Sequence, residues 1–272
     1  MATARTFAEG VRSRRRFSLG WLNLSGLALL VALAVVWQLA VSTNVITSEY
    51  LPAPTAIGRA IGDLAQSGEL TKNFSHTLYV TSVGWVAAGL LGVALGLALG
   101  LSQLTWRYSM ASLEFFRALP AISFVPVAVL LLGFSTKMEL VVVIYVSLWP
   151  ILVGTIHGAR QVTPLHLDLA RMMNMGRWTR IRRLVLPTAA PFTFVGLQVS
   201  LALALALALV AEMVGNPKGV GQALIVAQNT LHPAEMFAWV VLVGILGVLL
   251  NAAFLRLLAL AFPGTYASMR EQ

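Results

Sequence analysis

The chain has 272 residues, 58% of them hydrophobic and only 11% charged, with 19 Lys and Arg against 10 Asp and Glu for a formal net charge of +9. A mean hydropathy of +0.82 lies well above that of a soluble domain of this size and makes the bilayer the expected solvent. The absence of cysteine excludes disulfides, thiolate zinc sites and a cysteine nucleophile, and leaves the redox compartment unmarked.

In chain order, residues 1–20 form a basic N-terminal segment whose RSRRR run suits a solvated cytoplasmic flank beside anionic headgroups. Six apolar stretches of about 20 residues follow, at 22–42, 76–101, 118–134, 138–157, 189–211 and 236–260. The first is too long for a signal peptide and is followed by no small-residue cleavage pattern, so it is expected to remain in the mature protein. Residues 50–75 are too polar to cross, and Ile57, Ile61 and Leu64 fall at helical spacing, which predicts an amphipathic helix on the outer face. In the second stretch Ala88, Gly92, Gly96 and Gly100 recur every fourth residue. They form a strip on which another helix can pack closely, within one subunit or across a dimer. Pro120 and Pro126 interrupt the third stretch, and Glu114 and Arg117 crowd its start. In the fifth, SLALALALALV at 200–210 alternates like a strand, but both residue types are apolar helix formers and a lone strand would leave its backbone unpaired in lipid, so it is expected to be helical. Residues 21–262 thus form one all-α, polytopic membrane domain with a cytoplasmic loop at 158–187, followed by a tail at 263–272.

Charge placement gives the orientation. With the N-terminus inside, 15 of the 19 basic residues and 4 acidic ones lie on the cytoplasmic side, against 4 basic and 6 acidic outside. The inner excess of 15 − 4 = +11 places both termini in the cytoplasm by the positive-inside rule.

Several chemistries are missing. Lys72, Lys137 and Lys218 precede Asn, Met and Gly, so none sits in a P-loop. His76, His157, His166 and His232 form no HExxH and no close cluster, which makes a metal site unexpected. No GxSxG-type turn and no pair of intramembrane aspartates suggests a protease, and the cores of the predicted spans lack the ionisable residues of an ion-driven carrier.

The stretch LDLARMMNMGRWTRIRRLVLP, residues 167–187, carries five arginines. Thr163 and Pro164 form a good helix start, Leu165, Leu169 and Met172 give an apolar stripe, and Asn174 suits a left-handed helix end. A second short helix bearing Arg177, Arg180, Arg182 and Arg183 is expected to end at Pro187. The element reads either as an interfacial helix whose arginines bind phosphates and enforce topology, or as a helix presenting an apolar knob to a soluble partner.

These residues resemble the permease subunits of binding-protein-dependent ABC importers. Their cytoplasmic pattern is Glu-Ala-Ala, three residues, Gly, nine residues, then Ile-x-Leu-Pro. Here Asp168, Leu169 and Ala170, then Asn174, then Leu184, Val185, Leu186 and Pro187 keep that spacing, with Asp for Glu, Leu for the first Ala, Asn for Gly and Leu for Ile. From about residue 50 to 255, YLPAPTAI, SGEL, SHTLYVTSVGW, FFRALPAISFVP, GRWTRIRRLVLPTAAP and VAEMVGNPKGVGQAL are similar to the nitrate, sulfonate, taurine and bicarbonate branch. The tail LAFPGTYASMREQ departs from the basic, Trp-containing ending common there.

The resemblance implies a type I importer permease in a bacterial inner membrane, working as a homodimer with two cytoplasmic ATPase subunits and an outer-side or periplasmic solute-binding protein. ATP and Mg would be held by the ATPase, with no cofactor and no nucleic acid on this chain. Leu165, Asp168, Leu169, Ala170, Met172, Asn174, Gly176, Arg177 and Pro187 would carry the coupling. Arg117, Pro120 and Glu212 are the candidates near a pathway for a small anionic solute, although the residues by themselves read Arg117 first as a cytoplasmic anchor beside Pro120 and Glu212 first as a hydrogen bonder at a helix end. A non-ATP-driven carrier or channel is the alternative.

Overall fold

The computed structural model describes residues 24–263, so the N-terminal RSRRR run and the tail after Pro263 lie outside the described residues. The described residues through Thr55 belong to one compact unit and those from Ala56 onward to a second. The first contains α1 (Leu24–Ser42), whose apolar stretch Gly26–Ser42 is about 26 Å long at 1.5 Å per residue. The Gln38 side-chain Oε1 accepts the Thr55 backbone N–H at 3.1 Å. Helix α2 (Pro54–Gln66) spans the division.

The second unit continues with α3 (Glu69–Leu101), α4 (Gln103–Ala118), a 3-10 turn (Ala121–Ser123), α5 (Phe124–Leu132), α6 (Thr136–Arg160), α7 (Pro164–Met172), α8 (Arg177–Arg180), a π turn (Ile181–Val185), α9 (Leu186–Gly215), α10 (Val220–Asn229) and α11 (Pro233–Ala261). No strand occurs among the described residues, as lipid requires when backbone groups must be satisfied within each segment. Helices α3, α6, α11 and the run Arg177–Gly215 are long and apolar enough to cross a membrane, and α4 with α5 passes the same test as a pair bent by 76°.

Helix α6 is the centre, with α3 on one side and α9 on another. A Cβ at Gly92 would lie 2.9 Å from Ile151 Cγ2, and one at Gly96 2.6 Å from Thr155 Cβ. Ala88 is fully buried and Gly100 faces Ala159, so the whole strip packs against α6 of its own chain. Toward α9, Gly154 abuts the Phe192 carbonyl and Gly158 the Ala189 backbone. Lipid supplies no hydrophobic force between helices, so this close approach, with its dispersion contacts, is what holds the three together. The Thr155 and Thr193 hydroxyls meet at 3.1 Å across one contact. The Trp85 Nε1–H, from α3, donates to the Leu197 carbonyl at 3.0 Å and to Ser200 Oγ at 2.9 Å on α9. Within the alternating segment Ser200, Leu201, Ala204, Leu205 and Ala208 are buried, a helical spacing that only a helix can present to one side.

Three expectations need correction. The third span does not begin near 118: the helix starts at Gln103, with Ser102 Oγ accepting the Thr105 N–H at 3.2 Å, and breaks at Leu119 and Pro120. Leu119 adopts the extended backbone (φ −67°, ψ 126°) that a following proline favours. Pro126 interrupts nothing because it lies in the first turn of α5, where its missing N–H is tolerated. The polar segment at 50–75 is not one helix but is cut at Gly68 (φ 79°), leaving α2 with Ile57 and Leu64 buried and giving residues 69–75 to α3. Finally, Pro187 does not end a helix. The π turn before it absorbs the local misfit that an absent N–H creates, and the chain runs on as α9.

Candidate functional site

Three features concern function. The first is α7. Pro164 opens it, but the Thr163 hydroxyl caps no backbone amide and instead meets His166 Nδ1 at 2.8 Å. Leu165, Leu169 and Met172 are exposed, at 67%, 47% and 80%, whereas Ala170 is 2% exposed. Asp168 pairs with Arg171 at 2.9 Å, both well solvated, so the pair contributes little to stability. The helix ends as its sequence predicts: Asn174 has φ 49°, Met175 N–H donates to the Ala170 carbonyl at 2.9 Å and Asn174 N–H to the Arg171 carbonyl at 2.9 Å. That pair of bonds is the Schellman motif. Gly176 has φ −59° and open space around it, so its backbone has no need of glycine. Arg177 is exposed at the start of α8 and Pro187 at the start of α9. The root of the loop is fixed by Ala159, Val185 and Ala189, packed with Leu97 and Val162.

The second feature is a cavity of about 450 Å³ between α4 and α6, lined among others by Trp106, Met110, Arg117, Trp149, Val153 and Arg160. The two helices run antiparallel and touch at two places. The Arg160 guanidinium stands 5.0 Å from the centre of the Trp106 ring, and Tyr145 Oη donates to the Phe116 carbonyl at 3.0 Å. Between them lie ten residues of α4, about 15 Å. Arg117, counted above with the cytoplasmic charges, is therefore nearly three turns along α4 from Arg107, beside the middle of α6. Moving it and Glu114 out of the inner tally leaves fourteen basic against three acidic residues, an unchanged excess. Pro120 sits in the break between α4 and the 3-10 turn, exposed and outside the cavity lining.

The third feature is a sealed polar cluster at the other end of α6. Glu212 and Thr77 are fully buried. Thr77 Oγ1 donates to Glu212 Oε1 at 2.8 Å and accepts the Val220 N–H at 2.9 Å, while Glu212 Oε2 accepts the Gly221 N–H at 2.8 Å. Val220 and Gly221 open α10, so α9 and α3 together satisfy two of the free amides at its N-terminus. Gly219 has φ 101° and no room for a Cβ, which would strike the Glu212 carboxylate. Beside them, fully buried Glu139 meets His76 Nε2 at 2.8 Å and accepts from Asn216 Nδ2. Asn73 Oδ1 accepts the Gly219 N–H at 3.3 Å.

Of the three residues expected near a pathway, Arg117 alone lines the cavity, and Glu212 is closed off among protein groups. His76 and Glu139 were missed because each falls at a predicted span end and reads as a flank. A signal was available: His76 and Thr77 lie in SHTLYVTSVGW, and Glu212 to Gly221 lie in VAEMVGNPKGVGQAL, two of the strings that carry the resemblance.

Comparison with known proteins agrees with this architecture. The putative aliphatic sulfonates transport permease protein SsuC of Bacillus subtilis is 28% identical over 93% of this chain and 91% of its own length. The nitrate import permease protein NrtB of Synechocystis is 25% identical over 86% of this chain and 87% of its own. In fold, the chain resembles the MetNI methionine ABC transporter in an inward facing conformation, with TM-score 0.61 and 18% identity, over 71% of this chain and 96% of that one. An amino acid ABC transporter gives TM-score 0.54 at 17% identity, over 78% of this chain and 95% of that one. The model of the binding-protein-dependent transport system inner membrane component matches residues 88–265, which take in the small-residue strip, the cavity, α7 and the Glu212 end of the cluster, and the chain belongs to that family of ABC transporter permeases.

Proposed function

We propose that this chain forms the solute pathway of an ATP-driven importer and converts the motion of partner ATPases into alternating access. It works as a homodimer, with both termini in the cytoplasm, two cytoplasmic ATPase subunits on the α7 side and a solute-binding protein on the side of the sealed cluster. The observation that carries this reading is α7 itself: an exposed apolar triad, Leu165, Leu169 and Met172, on a helix whose last turn is pinned by the Schellman bonds of Asn174 and Met175. A knob held this firmly transmits a push. Behind it the helical run Arg177–Gly215 carries the displacement across the membrane as a lever, tilting it between outward-open and inward-open states. The lysine contexts, none of which is a P-loop, support a reading in which nucleotide and Mg are held by the partner. The names of the relatives, aliphatic sulfonates and nitrate, support an anion as the solute class.

Expression with its partner ATPase tests the reading. The two are expected to copurify in detergent and to hydrolyse ATP, with Ala170→Trp abolishing uptake while membrane insertion persists. Solute uptake by the lone chain in liposomes without ATP would instead support a carrier.

A further inference from the structure

We propose that Arg182 and Arg183 on the π turn, with Trp178 and Thr179 one turn before them, form a binding site for the headgroup of an anionic phospholipid. The proposal needs only that α9 crosses a bilayer, so it stands apart from the importer reading. The four side chains line one pocket of about 340 Å³, toward the lower end of the 300–1,000 Å³ typical of small-molecule sites. A π turn closes i→i+5, which rotates consecutive side chains through a smaller angle than an α-helix does. The two neighbouring arginines therefore open onto the same space in front of Trp178. Nothing in the protein neutralises them. The loop at 158–187 has a single carboxylate, Asp168, which is paired with Arg171, and neither Arg182 nor Arg183 has an ion pair with a described carboxylate. Both are exposed. Two guanidinium forks side by side hold one phosphodiester through paired N–H donors, and the Thr179 hydroxyl adds a short polar group to the same wall.

Depth and polarity favour lipid over a soluble partner. Glu212 lies 212 − 183 = 29 residues beyond Arg183, about 44 Å along a helix, which matches the roughly 40–45 Å of a bilayer with its headgroup regions. With Glu212 at one face, Arg183 stands at headgroup depth on the other. On its distal side, Leu186 and Pro187 follow Arg182 and Arg183 by about one turn and are exposed. On its near side, Trp178 is 73% exposed, an amphipathic ring of the kind enriched at the membrane–water interface. Within about two helical turns the surface thus passes from indole to guanidinium to aliphatic, the order in which a phospholipid presents its headgroup, phosphate and chains. An acidic protein surface would match the arginines and leave Leu186 and Pro187 without an apolar cover. A zwitterionic headgroup would bring its own cation up to the pair of arginines, which selects an anionic one.

The test is native mass spectrometry of the delipidated full-length chain in detergent, titrated in parallel with phosphatidylglycerol and phosphatidylcholine of the same acyl chains. We expect the first phosphatidylglycerol to bind more tightly than the first phosphatidylcholine, by about fivefold for each arginine engaged. Arg182→Gln and Arg183→Gln should each remove about that factor, whereas Arg107→Gln, at an exposed arginine of α4 outside the pocket, should leave the preference unchanged. Lysine at both 182 and 183 keeps the charge but loses the fork. That double variant should hold a preference between those of the wild type and the glutamine variants, which shows that the site rather than the fold was altered. Equal binding of the two lipids by the wild-type chain overturns the assignment. So does a loss at Arg107→Gln as large as at Arg182→Gln, which is the behaviour of diffuse positive charge. Displacement of phosphatidylglycerol by an excess of inorganic phosphate also overturns it and gives the pocket to a free anion. A double glutamine variant that keeps its lipid preference but no longer copurifies with a partner ATPase overturns it too, and gives this face to that subunit.

Discussion

The two sides of α6 are built on opposite principles. Toward α3 and α9 the contacts run through Gly84, Gly92, Gly96 and Gly196 on the neighbours and Gly154 and Gly158 on α6 itself, and the chains come so near that added Cβ atoms have no room. Toward α4 the facing residues are Trp106, Arg117, Trp149 and Arg160, and cavities remain on both flanks of α4, one of about 450 Å³ and another of about 410 Å³ lined by Leu95, Leu99, Tyr108, Phe116 and Trp149. One helix therefore belongs to a tight body and a loose one at once. In lipid, where only close packing and polar bonds bind helices to each other, the small-residue side is held along its length, whereas the aromatic, charged side leaves space beside α4.

The comparison can be broken most decisively at the tight side. Gly196 lies against the Pro150 carbonyl, so Gly196→Val should force α6 and α9 apart and cost at least about 4 kcal/mol, seen as loss of monodisperse protein in detergent. Normal yield and melting for this variant would mean that the contact is not close. The sealed cluster should respond next. Glu212→Ala leaves Thr77 and Gly221 without their acceptor in a buried site, at a cost of about 1–3 kcal/mol, whereas Glu212→Gln retains an acceptor and should cost less. Thermal unfolding of the two variants checks this, and an equal loss would show that the hydrogen bonds at Glu212 do not hold α10 in place.

At the α7 loop the expected effect is smaller in stability and larger in coupling. Asn174 occupies a left-handed turn at φ 49°, which costs other side chains about 1–2 kcal/mol. Asn174→Gly should transport at close to the wild-type rate, while Asn174→Val should leave ATP hydrolysis uncoupled from uptake in proteoliposomes. A valine variant as active as the glycine one would contradict the role of that turn. The smallest stability effect belongs to the loose side: Arg117→Gln faces a cavity and should shift stability by no more than about 0.5 kcal/mol. A large shift would reveal α4 as part of the fixed body.

Much of this was legible in order along the chain. The Ala88 to Gly100 strip could be seen because four small residues at intervals of four have a single helical meaning, and Asn174 because few residues accept a left-handed turn. Pro120 was noticed, but the helix before it was not. Gln103 to Ala118 carries polar and charged residues on a helix that borders cavities, so an apolar window passes over it. Glu139 and His76 were hidden for a related reason: a charge near a span end reads as a flank until its partner is known, and the two stand 63 residues apart.

By itself the sequence determined the solvent and the helical class, and it set the expectations for orientation and coupling, since each depends on local composition or on a short fixed spacing. Tertiary structure alone decided which partner the glycine strip meets, that Glu212 and Glu139 lie sealed beside α10 and α3, and that Arg117 stands in a cavity rather than at a membrane surface. Those outcomes depend on contacts between segments tens of residues apart, where the energy comes from shape fit and paired polar groups, neither of which one segment can express alone.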